Sequence, residues 1–307
     1  MKHYKVAVLL STYNGEKYIE QQIHSITNQK NIDSLTIIVR DDGSWDGTLE
    51  KLLQLQKIYN NIEVIQGKHK GLVSSFFDLL NYAYEKEFDY YALSDQDDYW
   101  LEEKLNIGIK AIENHDDPYM YSACSAIVDN NLLMTGEVTQ KKLREITFYN
   151  SAIQNLCPGH NQILNRAMAG MVVLKTVYSS AIYSHDLWIT NVAAVTGTII
   201  FDNTPHTLYR QHGNNQLSFG RNKMDWVKDH VKRLMKSEGK KISTQLRYFT
   251  ELYGEYMTSE QYKEARNYYN SKKSLITRFR YIKRTRLYRQ RRYETAIFKA
   301  IYLLGGY

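Results

Sequence analysis

The first 98 residues alternate continuous apolar runs with amphipathic segments, and this pattern constrains the fold more than any other feature. Four apolar runs each end in a polar turn, at residues 5–14, 35–44, 62–67 and 88–98. The segments between them, at residues 16–29, 46–59 and 71–85, repeat apolar side chains at helical spacing. Continuously apolar strands are typical of a parallel sheet with helices on both faces, so we expect an α/β fold.

The rest of the chain is predicted to contain a mixed middle part and a helical C-terminal region. We expect a strand over 119–129, a helix over 186–197 that stops at Gly197, and a hairpin-like pair of strands within 198–215. Residues 160–175 fit either a strand and a helix or two packed helices. From Met224 onward the pattern is helical, so we predict two domains, at residues 1–220 and 221–307.

Polar clusters follow three of the predicted strands at the point where each strand ends. They are Ser11–Thr12–Tyr13–Asn14, Asp41–Asp42 and the pair Asp95 and Asp97. In parallel α/β sheets, ligands bind outside the carboxyl ends of the strands. We therefore expect these clusters to share one binding site.

Asp95 and Asp97 form a D-x-D arrangement with Asp98 adjacent. Like charges this close disfavour one another unless a cation neutralises them, and Mg²⁺ or Mn²⁺ takes carboxylates together with substrate phosphates. The alternative is a solvated turn in which Asp98 caps a following helix. The other two polar clusters are expected at the same edge of the sheet, and this favours the metal interpretation.

The stretch "RDDGSWDGT" is also open to two interpretations. Asp-Gly is a common turn sequence, but a carboxylate here can also accept hydrogen bonds from a base or a ribose. Tyr13 is expected either to stack on that base or to fill an interface. The sequence has no G-x-G-x-x-G after the first strand and no Walker A motif, which argues against dinucleotide and P-loop sites.

Several motifs together resemble a known family. "VAVLLSTYNGEKYIEQQIHSITNQ", "IIVRDDGSWDGT" and "YYALSDQDDYWLEEKL" resemble the nucleotide-sugar-binding half of family 2 glycosyltransferases. "SHDLWITNVAAVTG" and "LYRQHGNN" are similar to segments of the bacterial rhamnosyltransferase-like branch, which builds surface polysaccharides such as capsule and cell-wall glycans. The resemblance implies a GT-A (Rossmann-like) catalytic domain over residues 1–220.

The resemblance also implies roles for individual residues. Tyr13 and Asp42 would contact the base of a UDP- or dTDP-sugar, with Ser11, Thr12, Asn14 and Asp41 nearby. Asp97, with Asp95, would hold Mn²⁺ or Mg²⁺ on the diphosphate, and Arg210 would face the diphosphate. His212 would either complete the metal or diphosphate site or be a turn histidine. Asp186 would be the general base of an inverting transfer, although as the residue opening a helix it also suits an N-cap.

The sequence departs from the branch in two places. HDWW is HDLW here, and the remaining Trp188 is a candidate for stacking on a sugar face. His160 and Asn161 stand where small polar residues are expected, which makes His160 a candidate for the acceptor site.

Charge is divided unevenly along the chain. Residues 221–307 hold 22 Lys/Arg against 8 Asp/Glu, whereas residues 1–220 hold 18 against 25. Tyrosines are interleaved among the cations, which favours docking on an anionic membrane. A solvated helix bundle and a homo-oligomer interface are the alternatives, and nucleic-acid binding is not expected because it would serve no purpose beside an acidic body.

Together these features predict an inverting, metal-dependent hexosyltransferase that builds a lipid-linked or cell-surface glycan. Its acceptor would be linked to polyprenyl diphosphate. Two cysteines and an apolar run too short for a signal peptide predict a cytoplasmic protein, peripheral at the inner face of the plasma membrane. The alternative is a non-catalytic module that binds a nucleotide sugar or a glycan.

Overall fold

A computed structural model describes residues 3–211, 232 and 237–307 of the protein. The chain forms two compact units, each built from three segments. The first unit comprises Met1–Lys141, Cys157–Thr176 and Gly197–Phe219, and the second comprises Lys142–Leu156, Val177–Thr196 and Gly220–Tyr307. The domain boundary at residue 220 stays a prediction, and the second unit also contains two segments that precede it.

The described residues form eleven strands and eleven α-helices. The strands are β1 (Lys5–Thr12), β2 (Ser34–Asp41), β3 (Ile62–Gln66), β4 (Tyr90–Ser94), β5 (Tyr99–Trp100), β6 (Tyr119–Ala123), β7 (Ala126–Val128), β8 (Met134–Val138), β9 (Ile163–Asn165), β10 (Thr198–Asp202) and β11 (Thr207–Arg210). The helices are α1 (Ile19–Thr27), α2 (Thr48–Ile58), α3 (Leu72–Glu85), α4 (Lys104–Ile112), α5 (Phe148–Ser151), α6 (Arg166–Val173), α7 (His185–Thr196), α8 (Gly239–Tyr253), α9 (Ser259–Asn270), α10 (Leu275–Ile282) and α11 (Arg292–Leu303).

The first unit is built on a seven-stranded sheet in the order β10-β6-β9-β4-β1-β2-β3. Its strands are parallel except β9, which runs antiparallel to both β4 and β6. The predicted α/β fold with a mainly parallel sheet is therefore confirmed. The central strand β1 is buried from Val6 to Thr12, which explains why its sequence is apolar at consecutive positions.

The register brings the predicted polar clusters to one edge of this sheet. Thr12 at the end of β1 pairs with Asp41 at the end of β2, and Leu10 pairs with Ser94 at the end of β4. The residues that follow these three strands thus leave the sheet side by side. The helices α1 and α3 are amphipathic and bury Ile19, Ile23, Phe76 and Leu80, among others, against the first unit's core.

Two predictions about the middle of the chain were wrong. The strands β10 and β11 are not a hairpin, because β10 pairs with β6 while β11 joins a separate four-stranded sheet in the order β5-β11-β7-β8. The single strand expected over 119–129 is likewise divided between the two sheets as β6 and β7. Strand pairing is a long-range choice that local apolar patterns do not encode.

The second unit is helical in its described part. Trp188 of α7 is fully buried and packs against Phe249 and Tyr253 of α8, with ring centroids 5.4 and 5.9 Å away. A second aromatic cluster joins α9, α10 and α11 through Tyr268, Tyr281 and Tyr302. No helix among the described residues is long and apolar enough to cross a membrane.

Candidate functional site

The turn after β2 is stabilised by its own first aspartate. The carboxylate of Asp41 accepts hydrogen bonds from the backbone N–H groups of Gly43 and Ser44 and from the Ser44 hydroxyl. Gly43 has φ +82°, a conformation that favours glycine. Asp41 is buried, so the structure gives it a turn-forming role at the edge where nucleotide contacts are predicted.

Asp42 is held from several sides by the protein. Its Oδ1 accepts from the guanidinium of Arg40 and from the N–H of Lys70, and its Oδ2 accepts from the N–H of Gly71. His69 Nδ1 lies 3.0 Å from Oδ2. Burial alone would raise the pKa of Asp42, but the hydrogen bonds from Arg40, Lys70 and Gly71 outweigh it and hold that pKa below its usual value.

Gln96 ties the end of β1 to the loop after β4. Its Oε1 accepts from the Thr12 hydroxyl at 2.6 Å and from the N–H of Tyr13 at 2.9 Å. Its Nε2 donates back to the carbonyl of Tyr13. Asn14 follows with φ +49°, and its side chain accepts from the N–H of Trp45 in the turn after β2.

Tyr13 is the partly exposed aromatic residue at this edge. Tyr13 is 40% exposed, and its ring lies 4.4 Å from the ring of His69, centroid to centroid. Ser11, by contrast, is buried and donates to Ser75 Oγ at 2.7 Å. The edge therefore offers a ring surface at Tyr13, while Ser11 is already engaged inside the unit.

The loop after β4 places two aspartates beside a buried histidine. His160 Nδ1 lies 3.4 Å from Asp95 and 3.6 Å from Asp98. His160 is set by a 3₁₀ turn over Gly159–Asn161, and its ring stacks on Tyr209. Its Nε2 meets Ser125 Oγ at 2.9 Å, which directs Nδ1 toward the carboxylates.

Asp98 is the unusual member of this cluster. It is 1% exposed, and neither of its carboxylate oxygens has a hydrogen-bond partner among the described residues. Burial raises the pKa of Asp98 to about 7; the charge of His160 opposes that rise, and the carboxylates of Asp97 and Asp95 add to it. A buried carboxylate without donors is costly unless a cation compensates it.

Two buried basic side chains, His160 and Lys104, adjoin the aspartates. Burial alone would lower the pKa of His160, but Asp98 and Asp95 raise it overall. Burial lowers the pKa of Lys104 well below its usual value, against the pull of Asp98 and Asp95. Lys104 Nζ donates to the carbonyl of His160 at 2.5 Å and lies over the ring of Trp100.

The residues present fit a divalent cation. Ligand atoms of Asp95, Asp98 and His160 all lie within 4.8 Å of one another, and the oxygens of Asp98 have no competing donor among the described residues. Ser125 is placed to fix the His160 tautomer, as partners of metal-bound histidines commonly do. This set shares only Asp95 with the predicted set of Asp95, Asp97 and His212.

Asp98 does not cap a helix. The two-residue strand β5 follows it directly, and α4 begins only at Lys104. The alternative interpretation, in which Asp98 caps a following helix, is therefore wrong. The segment pairs instead with β11, through Trp100 and Thr207 and through Tyr99 and Leu208.

Arg210 is buried and donates to atoms of the first unit. Its Nε donates to the carbonyl of Asp97 at 3.0 Å, and its two Nη atoms donate to the carbonyl of Asn130 and to Gln21 Oε1. The structure thus places Arg210 as a support of the Asp97 loop, where contact with a diphosphate was predicted. Asp97 is half-buried.

The remaining candidates lie in the second unit or outside the described residues. Asp186 is half-buried in the first turn of α7, which begins at His185, so Asp186 is not its N-cap. Trp188 is fully buried in the aromatic packing against α8, so a packing role replaces the predicted stacking on a sugar. His212 lies outside the described residues.

Sequence reasoning gave no role to Gln96, His69 or Lys104, and it proposed His160 only as an acceptor-site candidate. Gln96 lies inside the motif "LSDQDDYW", so its position between two aspartates was an available signal. His69 follows β3, whose end is not among the three polar clusters expected to form the site. No local signal links Asp98 to His160, because 62 positions separate them in the sequence and only the sheet brings them together.

Comparison with known proteins gives a consistent result. The family model for glycosyl transferase family 2 matches residues 7–172, which is more than half of the chain. The dTDP-rhamnosyl transferase RfbG of Shigella flexneri is 27% identical over 216 residues, covering 68% of this chain and 73% of that protein. The Escherichia coli enzyme WfgD, named as a UDP-Glc:alpha-D-GlcNAc-diphosphoundecaprenol beta-1,3-glucosyltransferase, is 27% identical over 50% of this chain and 57% of its own.

Solved structures show the same fold. TarS 1–349 of S. aureus, in complex with UDP-GlcNAc, matches with a TM-score of 0.57 at 17% identity, over 90% of this chain and 83% of that chain. The mannosyltransferase PcManGT of Pyrobaculum calidifontis, in complex with GDP-Man and Mn²⁺, matches with a TM-score of 0.56 at 14% identity, over 100% and 86%. The GT-A fold that the sequence motifs implied is confirmed, and the chain belongs to glycosyl transferase family 2 and is a glycosyltransferase.

Proposed function

We propose that this enzyme moves a hexose of rhamnose, galactose or glucose type from a dTDP- or UDP-sugar to a lipid-linked or growing cell-surface polysaccharide, with inversion at the anomeric carbon. The names of two relatives support this choice of donor and acceptor. RfbG is named for dTDP-rhamnose, and WfgD is named for UDP-Glc and for an acceptor on diphosphoundecaprenol. A polyprenyl-diphosphate-linked acceptor is therefore the one we propose here.

The cluster of Asp95, Asp98 and His160 at the carboxyl end of β4 is the observation that carries the proposal. A divalent cation held there would supply positive charge against the diphosphate leaving group. Asp95 is the ligand common to this cluster and to the D-x-D motif, and Asp97 stays a proposed ligand from the motif. An imidazole among the ligands favours Mn²⁺, because Mg²⁺ prefers oxygen ligands.

The nucleotide is proposed to lie along the edge formed by the ends of β1 and β2. Tyr13 offers its partly exposed ring to the base, and Gln96 holds the backbone of Thr12 and Tyr13 in place. Asp42 orders Lys70 and Gly71 beside this edge through its carboxylate. We assign Asp41 and Asn14 the role of fixing the neighbouring turns, from their hydrogen bonds to Ser44 and Trp45.

The proposed transfer needs one base and one leaving group. The acceptor hydroxyl oxygen forms a bond to the anomeric carbon, the bond from that carbon to the diphosphate oxygen breaks, and the nucleoside diphosphate leaves. Asp186 takes the proton of the acceptor hydroxyl as general base, which is the role implied by its motif. Asp186 lies in the first turn of α7 and is only half-buried, so its side chain is partly accessible, which is compatible with this role.

We also propose that the basic C-terminal region docks the enzyme on the cytoplasmic face of an anionic membrane, where a polyprenyl-linked acceptor lies. Residues 271–293 contain ten Lys/Arg and no Asp/Glu. Clustered cations gain about 1 kcal/mol each near an anionic leaflet. A homo-oligomer formed through the same helices is the competing proposal.

The metal proposal is tested with the full-length enzyme and three substitutions: Asp95→Asn, Asp97→Asn and Asp98→Asn. Donor turnover with UDP- and dTDP-sugars is measured with and without Mn²⁺, and Mn²⁺ binding is followed by electron paramagnetic resonance in the presence of UDP. Asp95→Asn is expected to lower turnover by about 100-fold, because charge stabilisation of the leaving group is lost. Asp98→Asn is expected to weaken Mn²⁺ binding in parallel.

Asp116→Asn serves as the matched control, because Asp116 is exposed at the opposite end of β6. If Asp98→Asn binds Mn²⁺ normally while Asp97→Asn binds it less well, the metal ligands are Asp95 and Asp97. Asp98 would then not be a ligand. Full metal-independent turnover by all three variants would contradict the metal proposal altogether.

A further inference from the structure

Helix α10 presents three large apolar side chains to solvent on one face. Leu275 is 64% exposed, Ile276 is 65% exposed and Phe279 is 48% exposed. Leu275 and Phe279 are one turn apart (i, i+4) and Ile276 is next to Leu275, so the three lie together on the helix, on the side away from the buried Tyr281. We call these three residues the apolar ridge.

The exposed face continues beyond the ridge as a cationic surface. Arg280 is exposed on the same helix, and Lys283 and Arg284 are exposed directly after the helix ends at Ile282. Lys283 Nζ lies 4.3 Å from the centroid of the Phe279 ring, so a cation directly borders the apolar surface. An apolar face bordered by Lys and Arg is typical of helices that lie in the interface of a bilayer.

The helix is held firmly in the second unit, so the ridge is displayed by a fixed element. Ser274 and Thr277 form a capping box at its start. Arg278 donates to the carbonyls of Lys272 and Leu303, and Tyr281 donates to Glu264. Removing these exposed apolar side chains from water is favourable, so covering the ridge would contribute to binding.

The charges decide between possible occupants of the ridge. In a symmetric dimer the same patch meets itself, which would bring the cations Arg280, Lys283 and Arg284 of one copy close to those of the other. Like charges in contact are unfavourable, whereas lipid phosphates are complementary to them. The surface therefore fits an anionic bilayer better than a second copy of this chain.

We propose that Leu275, Ile276 and Phe279 insert into the boundary between headgroups and acyl chains of an anionic membrane, while the adjoining cations contact lipid phosphates. This inference rests on the proposed membrane docking of the basic region and names the element that enters the bilayer. Apolar burial and charge attraction add in such binding.

The test uses the full-length protein and vesicles of phosphatidylcholine with or without one quarter phosphatidylglycerol. A ridge variant carries Leu275→Ser, Ile276→Ser and Phe279→Ser, and a charge variant carries Arg280→Gln, Lys283→Gln and Arg284→Gln. The matched control carries Leu53→Ser, Ile58→Ser and Leu133→Ser, three comparably exposed apolar residues of the first unit. Both test variants are expected to bind anionic vesicles at least about tenfold more weakly, with the control unchanged.

A second readout reports insertion directly. Phe279→Cys is labelled with an environment-sensitive dye, since both native cysteines are buried. Blue-shifted emission is expected only with anionic vesicles. Circular dichroism and donor turnover check that the ridge and charge variants fold.

The outcomes separate this inference from the proposed docking. If the ridge variant binds as the parent does while the charge variant does not, docking is purely electrostatic and ridge insertion is overturned. If neither variant loses affinity, docking through this region fails as well. A dye shift that depends on protein concentration without vesicles would identify a second copy as the occupant and overturn the inference.

Discussion

Two aspartates at the same edge of the sheet have opposite electrostatic surroundings. Asp42 accepts hydrogen bonds from Arg40, Lys70 and Gly71, which keep its pKa low. Asp98 is equally buried but has no such donors among the described residues, and burial raises its pKa to about 7. A carboxylate already supplied with donors stabilises the fold, whereas one without them is suited to bind a cation.

Substituting Asp42 tests whether the hydrogen bonds to its carboxylate stabilise the fold. Asp42→Asn is expected to lower the free energy of unfolding at pH 7 by about 3 kcal/mol, because it leaves Arg40 without its buried partner. The folded-state pKa lies below the unfolded value of about 3.9, so this stabilisation is complete only above about pH 5 and is lost progressively as pH falls through the unfolded and then the folded pKa. Urea unfolding of the parent and of Asp42→Asn at pH 7 and near pH 3.5 checks this prediction, with Asp116→Asn as control. If the parent and Asp42→Asn differ in free energy of unfolding by the same amount at both pH values, the prediction is contradicted.

Tyr13 gives a second prediction at the same scale. If its ring stacks on the base, Tyr13→Ala is expected to weaken UDP or dTDP binding by about tenfold to a hundredfold, since stacking contributes about 1–3 kcal/mol per base. Tyr13→Phe retains the ring and is expected to bind nearly as the parent does. Calorimetric titration of the nucleotide measures both, and equal loss in both variants would point to the hydroxyl instead.

The junctions between elements depend on close approaches that a sequence pattern does not describe. Gly197, predicted as a helix stop, does follow α7, and a Cβ built there would lie 2.2 Å from the carbonyl oxygen of Pro118. Glycine is therefore required here because there is no room for a Cβ, and not because the backbone is left-handed. The backbone of Pro118 has no rotamer by which to move away.

Gly197→Ala tests this requirement. The clash is expected to lower the free energy of unfolding by about 1–3 kcal/mol, as overpacking does elsewhere. Thr196→Ala, one residue earlier and half-buried, is the matched control and is expected to change stability little. Thermal unfolding of both variants measures the difference, and unchanged stability of Gly197→Ala would show that the backbone yields at this point.

At the scale of the whole molecule, the positive charge lies mostly in the C-terminal region. Residues 221–307 carry 22 Lys/Arg against 8 Asp/Glu. The helices of this region belong to a unit that also contains residues 142–156 and 177–196. Truncation near residue 218 would remove packing partners of those segments, so charge and salt are better tests of membrane docking than truncation.

Salt dependence provides such a test. Vesicle binding by the full-length protein is expected to weaken several-fold as salt rises from 0.1 M to 1 M, because the screening length falls from about 10 Å to about 3 Å. Co-sedimentation with anionic vesicles at a series of salt concentrations measures the slope. Binding that does not vary with salt would show that the cations contribute nothing.

The sequence by itself determined the order of elements and the chemistry available at the sheet edge. Continuous apolar runs, helical spacing and polar strand ends are local patterns, and they correctly predicted β1 to β4, α1 to α3 and the edge at which Thr12 meets Asp41. They determine these features because burial on both faces of a strand and on one face of a helix restricts the residues at neighbouring positions.

Only the tertiary structure decided which groups meet. In the tertiary structure β10 and β11 lie in separate sheets and Trp188 is buried. Arg210 donates to backbone carbonyls, and His160 lies beside Asp95 and Asp98. Each of these depends on residues far apart in the sequence, whose approach is set by strand pairing and by the need to compensate buried charge. No local pattern around Asp98 distinguishes a helix cap from a cation ligand, because the difference lies in a histidine 62 positions away.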